Sequence, residues 1–346
     1  MKVNSPKVIV IGTSAGGMQA VTTLLAGLPD DLPAAIFVVQ HLSNDSSALF
    51  LVERLRKYTG LTCKVAENNA RIEPGTLYLA PPDRHLLLRK DEMLVVRGPR
   101  ENLFRPSIDP LFRSAAAYHG ANVTGVILTG FLSDGVVGLE GVKRSGGVTV
   151  VQDPADAEFP ALPQNAIRQV EIDHVVPLAK MAEVLTELAH RPNHNSVAVP
   201  TDIWQEAQIA ERVMNNSEMT SIEDLEKAGD RTPYSCPECG GGLWELSQEG
   251  TIERYRCHSG HAYTKDALIR GMSESLEETI WVALRTLEER RNILMQMSRG
   301  ESNKGNQRWA SIQEERADEM KVHIERLREL LNKSSLSDAE NLGDVG

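Results

Sequence analysis

The chain has 346 residues, 41% of them hydrophobic, enough for roughly two or three domains with sizeable cores. Its net charge of −11 is uneven: residues 1–190 carry 18 basic and 20 acidic side chains, net −2, and residues 191–346 carry 19 and 28, net −9. Such acidity disfavours non-specific nucleic-acid or membrane-surface binding, no apolar run approaches the ~20 residues of a membrane span, and the short polar start lacks a signal-peptide core, so a cytoplasmic protein is expected. Val8 to Ile11 is a β-branched apolar run of the kind that forms a buried parallel strand. It runs into Gly12-Thr-Ser-Ala-Gly16, a G-x-S-x-G pattern, and then into Met18, Val21, Leu24 and Leu25 at helical spacing. A strand, a sharp turn and a helix are the context in which this pattern presents a nucleophilic serine, here Ser14. The same turn could instead cradle a phosphate, although G-x-G-x-x-G fails at Ser14 and no Gly-Lys-Ser/Thr follows.

Strand and helix patterns then alternate. Ala35 to Gln40 predicts a second buried strand, Ser47 to Tyr58 a helix and Leu61 to Val65 a strand. Thr76 to Ala80 and His85 to Leu88 predict strands, with Met93 to Arg97 completing a small antiparallel excursion around Pro81-Pro-Asp83. Pro110 to His119 and Gly135 to Ser145 read as helices, Val123 to Thr129 and Val148 to Gln152 as strands, and Pro163 to Gln169 and Leu178 to His190 as helices. This order predicts an α/β fold, a doubly wound, mostly parallel sheet with helices on both faces, spanning residues 1–190. Arg191 to Pro200 reads as a linker, and residues 191–232 as a linking region with helices at Thr201 to Met214 and Ser221 to Ala228.

If Ser14 is a nucleophile it needs a base and a group to orient that base. His41 follows the second strand directly, and Asp134 lies just past the strand ending at Thr129, so both belong to the sheet edge where Ser14 sits. Asp134 could equally cap the helix after it. His85 and His119 compete as bases from an antiparallel strand and a helix end, and His174 reads as loop.

Ser235-Cys-Pro-Glu-Cys239 and Cys257-His-Ser-Gly-His261 supply C-x-x-C and C-x-x-x-H. Thiolates and imidazole at this spacing suit tetrahedral zinc, with Cys236, Cys239, Cys257 and His261 as ligands and His258 as the alternative fourth. Strand-like Leu243 to Leu246 and Ile252 to Arg256 between them predict a small zinc ribbon over residues 233–264. A closed four-ligand site would be structural rather than catalytic. A redox C-x-x-C is the rival reading, and Cys63 reads as core. Residues 265–333 repeat apolar positions, with Leu276, Ile280, Leu287, Leu294, Ile324 and Leu331 among them, in two long helices broken near Arg299 to Gly305. They form either an intrachain hairpin or a coiled-coil element of a homo-oligomer. The tail, 334–346, is expected to be disordered.

Several of these stretches together resemble the catalytic domain of the CheB-type chemotaxis protein-glutamate methylesterases. They are Ile11-Gly-Thr-Ser-Ala-Gly-Gly17, Val38-Val-Gln-His41, Pro74-Gly-Thr-Leu-Tyr-Leu-Ala-Pro-Pro-Asp-Arg-His85, Arg105-Pro-Ser-Ile-Asp109, Ile127-Leu-Thr-Gly130 with Ser133-Asp-Gly135, and Leu162-Pro-Gln-Asn-Ala166. The resemblance implies hydrolysis of methyl esters on glutamate side chains of chemoreceptors, with glutamine deamidation open, and needs no catalytic cofactor. It implies Ser14 as nucleophile, His41 as general base and Asp134 as orienter, with backbone N–H groups at Ala15 and Phe131 as candidate oxyanion donors. The chain departs from the family at Ala15, where Thr is common, and at Phe131, where Met is common. Familiar members carry an N-terminal receiver domain, for which no room is expected before Ser5. The alternative is an esterase fold kept as a non-catalytic scaffold in a signalling assembly, acting through its C-terminal part. The part before Arg191 is expected to fold without the zinc-binding segment.

Overall fold

The computed structural model describes residues 7–43, 45–192, 197–216, 220–246 and 251–343. In chain order its elements are β1 (Lys7–Thr13), α1 (Gly17–Ala26), β2 (Ala34–Gln40), α2 (Ala48–Leu55), β3 (Thr62–Val65), β4 (Thr76–Leu79), β5 (His85–Leu88) and β6 (Met93–Val96). Next come α3 (Ile108–His119), β7 (Val123–Ile127), α4 (Val136–Arg144), β8 (Val148–Gln152), α5 (Ala161–Gln169), β9 (His174–Val176) and α6 (Leu178–His190). The remainder is α7 (Thr201–Asn216), α8 (Ile222–Ala228), β10 (Asp230–Ser235), β11 (Gly242–Glu245), β12 (Arg254–Cys257), β13 (Ala262–Thr264), α9 (Lys265–Asn303) and α10 (Gln307–Gly343).

Seven strands form one parallel sheet in the order β3-β4-β2-β1-β7-β8-β9. The alternation of side chains along β1 assigns its two faces to two cores. Val8 and Val10 pack with Phe37, Ile108, Phe112 and Leu139 beneath α3 and α4. Ile9 and Ile11 pack with Val21, Leu24, Leu25 and Leu185 beneath α1 and α6. The expected doubly wound sheet is therefore present; of the excursion expected around Pro81-Pro-Asp83, β5 pairs antiparallel with β6, whereas β4 belongs to the parallel sheet between β3 and β2. Chain order reverses across β1, whose neighbours are β2 and β7, so a crevice opens at the C-terminal ends of these three strands.

Several boundaries differ from the sequence reading. His174 begins β9 rather than a loop, and α3 begins at Ile108, two residues before Pro110. The expected linker lies in part on residues outside those described, and its helix α7 is no spacer, because Ile203 and Ala207 are buried in the core beneath α3. The segment expected to be a two-stranded ribbon is a four-stranded antiparallel sheet, β10-β11-β12-β13. It falls within the same compact unit as the parallel sheet, residues 1–269, rather than standing apart from it. Residues 270–346 form the second unit, in which Ile280, Leu284, Ile324 and Leu331 are buried together between α9 and α10. The break between these helices is at residues 304–306, and α10 continues to Gly343, past Ser334 where the disordered tail was expected to begin.

The small sheet is joined to the large one by buried charge. Arg256 on β12 is fully buried and pairs with Glu101 at 2.8 Å. Glu101 also receives both Arg113 contacts at 2.9 Å, and Arg113 reaches Glu206 of α7 at 3.2 Å. Arg254 of β12 pairs with the same Glu206 at 2.8 Å. These charges lose hydration together, so each depends on its partners. Burial pushes the Glu101 carboxyl up, but the Arg113 and Arg256 charges outweigh it and hold it at about 2.

Two outcomes follow. Arg256→Met leaves a buried carboxylate short of one cation and should lower the unfolding free energy by about 3–5 kcal/mol, measured by denaturant titration. The Glu101 pKa is depressed on folding, so its contribution is complete above its ordinary 4.5 and is lost as pH falls towards about 2. Glu101→Gln should therefore flatten the loss of stability over that acid window.

Candidate active site and metal centre

Ser14 follows β1 at the apex of the turn into α1. The turn is pinned by Ser14 N donating to Thr129 O at 3.1 Å and Gly17 N donating to Ser14 O at 3.0 Å. Gly16 adopts φ 72°, a left-handed conformation that suits glycine. At Gly130 a Cβ would come within 2.7 Å of the Ser14 Cβ, so glycine there is what lets the β7 loop approach the serine. Gln40, the last residue of β2, donates from Nε2 to Ser14 O at 2.6 Å and to His41 O at 3.0 Å, tying the two loops together.

His41 Nδ1 lies 3.1 Å from Ser14 Oγ, and His41 Nε2 lies 2.7 Å from Asp134 Oδ2. With the ring proton on Nε2 directed at Asp134, the Nδ1 lone pair is free to accept from Ser14. The imidazole stacks on Phe104 with ring centroids 3.7 Å apart, which sets its plane.

Asp134 is 2% exposed and does not cap α4, whose N-cap is Gly135. Its carboxylate instead meets the N-terminus of α3. It accepts from Ser107 Oγ at 2.7 Å, Ile108 N at 2.7 Å, Asp109 N at 3.4 Å and Asn102 Nδ2 at 2.8 Å. Burial alone would raise this carboxyl, but His41, Asn102 and the Ile108 N–H together hold it below the usual carboxylate range. A helix N-terminus favours an anion for the same reason.

Asp109 shares Asn102 Nδ2 at 2.6 Å and accepts from Gly138 N at 2.6 Å. Burial first, then the Asp134 charge, pushes Asp109 up to about 8. Asp134 is thus the ionised member of the pair, and Asp109 is neutral below that pH.

The competing histidines are committed elsewhere. His85 is fully buried, with Nε2 2.9 Å from Pro99 O, and burial lowers its pKa. His119 Nε2 lies 3.0 Å from Arg89 O. Asn102, Phe104 and Ser107 had no signal of their own in the sequence. The run Arg105-Pro-Ser-Ile-Asp109 marked the place but not the role. The side chains of Phe131 and Phe159 pack at 4.7 Å beside the serine turn, and Phe131 is 40% exposed.

Cys236, Cys239, Cys257 and His261 bring their ligand atoms to within 4.8 Å of one another and could hold a metal ion. Cys239 and Cys257 Sγ are 3.7 Å apart, well beyond a disulfide bond. His261 Nδ1 lies 3.7 Å from Cys236 Sγ and 3.6 Å from Cys257 Sγ, while its Nε2 meets Glu238 at 2.9 Å. His258 is outside this group among the described residues. Cys63 is buried in the core, as read from the sequence.

A family model described as CheB methylesterase matches residues 9–185. A putative protein-glutamate methylesterase/protein-glutamine glutaminase of Leptospira interrogans is 42% identical over 181 residues, covering 52% of this chain and 93% of that protein. The Photorhabdus laumondii protein-glutamate methylesterase/protein-glutamine glutaminase is 40% identical over 184 residues, covering 52% of each. The solved CheB methylesterase catalytic domain of Thermotoga maritima superposes with a TM-score of 0.52 at 34% identity, covering 53% of this chain and 99% of that one.

The buried acid pair carries its own pH signature. The folded pKa of Asp109 lies above its ordinary 3.8, so stability from the neutral carboxyl is lost as pH rises from there through about 8. Asp109→Asn should remove that slope, read as unfolding midpoints of both proteins between pH 5 and 8.5.

Proposed function

The chain belongs to the CheB methylesterase family, and on that premise we propose that it hydrolyses methyl esters on glutamate side chains of chemoreceptors through Ser14, His41 and Asp134. The observation that carries this reading is the continuous relay from Ser14 Oγ through both His41 nitrogens to an ionised, five-times-contacted Asp134. Ser14 Oγ attacks the ester carbonyl carbon while its proton passes to His41 Nδ1. The tetrahedral intermediate collapses as His41 returns the proton to the methoxy oxygen and methanol leaves. His41 then takes a proton from water, which attacks the glutamyl-Ser14 ester, and returns that proton to Ser14 Oγ as the glutamate side chain leaves. Asp134 keeps the imidazole in the tautomer this needs and stabilises the imidazolium.

The N–H groups of Ala15 and Phe131 are the proposed oxyanion donors. They flank Ser14 and Gly130, whose own N–H groups are taken by Thr129 O and Phe159 O. The same machinery extends to glutamine side chains, with ammonia leaving in place of methanol, in line with the double names of the relatives.

We assign zinc to the cysteine cluster. A tetrahedral ion with ligands at about 2.3 Å for sulfur and 2.0–2.1 Å for nitrogen separates thiolates by about 3.8 Å and thiolate from imidazole by about 3.6 Å. The distances between Cys239 and Cys257, and between Cys257 and His261, are 3.7 and 3.6 Å. Glu238 on the other imidazole nitrogen is the orienting partner such a ligand usually has. Four protein ligands leave no position for a reacting water, so the ion would be structural.

No helix among the described residues is long and apolar enough to cross a membrane. The proposed partners are the cytoplasmic parts of methylated receptors, with the enzyme acting in the cytoplasm. Self-association through the α9–α10 unit belongs to the same reading, since Trp281, Ile293 and Trp309 are exposed on it.

Methanol release from methylated receptor should fall on the order of 10⁶-fold in kcat for Ser14→Ala, and on the order of 10⁴-fold for Asp134→Asn. Hydrolysis by Ser14→Ala at the native rate would sink the assignment. Elemental mass spectrometry should find one zinc per chain, absent in Cys236→Ser; a native, folded, metal-free protein would rule the metal out.

A further inference from the structure

We propose that the small sheet β10–β13 is part of the catalytic apparatus: it orients the Asn102 amide, and thereby Asp134 and His41, through the strap of residues 101–104. This rests on the reading of Ser14, His41 and Asp134 as the reacting set.

The strap touches two of those three side chains. Asn102 Nδ2 donates to Asp134 Oδ1 at 2.8 Å, and Phe104 stacks on the His41 ring. Its backbone is a two-residue turn: Asn102 and Leu103 hold φ of 53° and 71°, and Glu101 and Phe104 close it by exchanging N–H···O bonds at 3.3 and 2.9 Å. The small sheet holds this turn in place. Asn102 N donates to Ala262 O at 2.8 Å, and Ala262 N donates to Arg100 O at 3.4 Å. Arg256 fixes the Glu101 carboxylate from below while donating to Gly260 O at 3.0 Å.

The decisive contact is Thr264 N donating to Asn102 Oδ1 at 2.8 Å. An amide side chain has one accepting end and one donating end. With its oxygen held by the β13 N–H, Asn102 must turn its NH₂ towards Asp109 and Asp134. Without that donor the amide oxygen is left buried and unpaired, and only the two carboxyl groups hold the NH₂ in place. Asp134 would then lose the fixed position from which it holds the His41 Nε2–H. Ser133, beside Asp134, meets Thr264 a second time, Oγ to Oγ1 at 3.4 Å.

The residues that carry this support are neighbours of the cysteine cluster in sequence. Arg256 precedes Cys257, and Ala262 follows His261. Whatever holds that cluster together therefore also holds the strap. Asn102 and Thr264 are positioning residues, since neither is placed against the substrate.

The test uses the full chain with its metal bound. Phosphonylation of Ser14 by a fluorophosphonate reports how well the relay activates the serine, independently of any receptor. Methanol release from methylated receptor reports the function. Asn102→Gly removes the amide yet accommodates the left-handed backbone. It should slow the phosphonylation rate constant and kcat by at least tenfold, with the concentration dependence of labelling and KM changed less than twofold. Zinc removal by a chelator should do the same and be reversed by added zinc. Chelation should cost Asn102→Gly less than it costs the native chain, because both act on one contact. An Asn102→Gly chain that keeps its native rate of Ser14 labelling overturns the proposal, even if chelation unfolds the small sheet. So do losses that multiply independently. If labelling responds as expected but no methanol is released, the support by the small sheet stands and the substrate reading fails.

Discussion

A carboxylate shut away from water must be surrounded by donors, and the region around Asp134 is organised by that requirement. The oxygens of a residue 2% exposed are met by two helix N–H groups, a hydroxyl, an amide and an imidazole. Four of the five come from the segment between β6 and the first turn of α3, and the fifth is the group to be oriented. The start of α3 is fixed in turn by its burial: Ile108, Leu111, Phe112 and Ala115 are all completely buried against the parallel sheet. The packing of one helix thus sets where the charge can sit, and the charge sets the tautomer of His41.

The neighbouring Asp109 explains why this pocket needs precise donors rather than merely several. Two carboxyl groups sharing one amide cannot both ionise cheaply in a dry site. The one facing imidazole and helix N–H groups takes the charge, and the other is driven up to about 8. The Asn102 amide lies between them, and its orientation is read out from the far side by β13. A segment more than a hundred residues downstream in sequence thereby reaches the site, through Thr264 and through the buried ion cluster of Glu101, Arg113, Glu206, Arg254 and Arg256.

The parallel sheet and the positions of Ser14, His41 and Asp134 at one edge were legible because each depends on local pattern. A β-branched run, a Gly-rich turn and an amphipathic helix are signals a short window contains. That Asp134 does not cap α4, and that His85 and His119 bond to backbone carbonyls, shows only in side-chain direction, which spacing does not carry. Asn102 and Phe104 were invisible for a different reason. They sit in an irregular loop, and their importance comes from partners at Thr264 and His41, far away in sequence. The α7 segment was misread as a linker because a polar, Pro-bounded stretch precedes it. Its Ile203 and Ala207 carry the helical spacing of a buried face, but the surface they cover is formed by α3. The cysteine cluster was readable from spacing alone, whereas its incorporation into the same compact unit as the esterase-like sheet was not, since buried Arg–Glu pairing across 155 residues leaves no local trace.

The claim on which everything else depends is that Ser14 becomes covalently attached to the glutamyl group. Mixing the full chain with methylated receptor, quenching in acid within a turnover and digesting for mass spectrometry reads this directly. The account predicts a receptor glutamyl group joined as an ester to the peptide that carries Ser14. Methanol release accompanied by an adduct on a different residue, or by none throughout the first turnover, would contradict it.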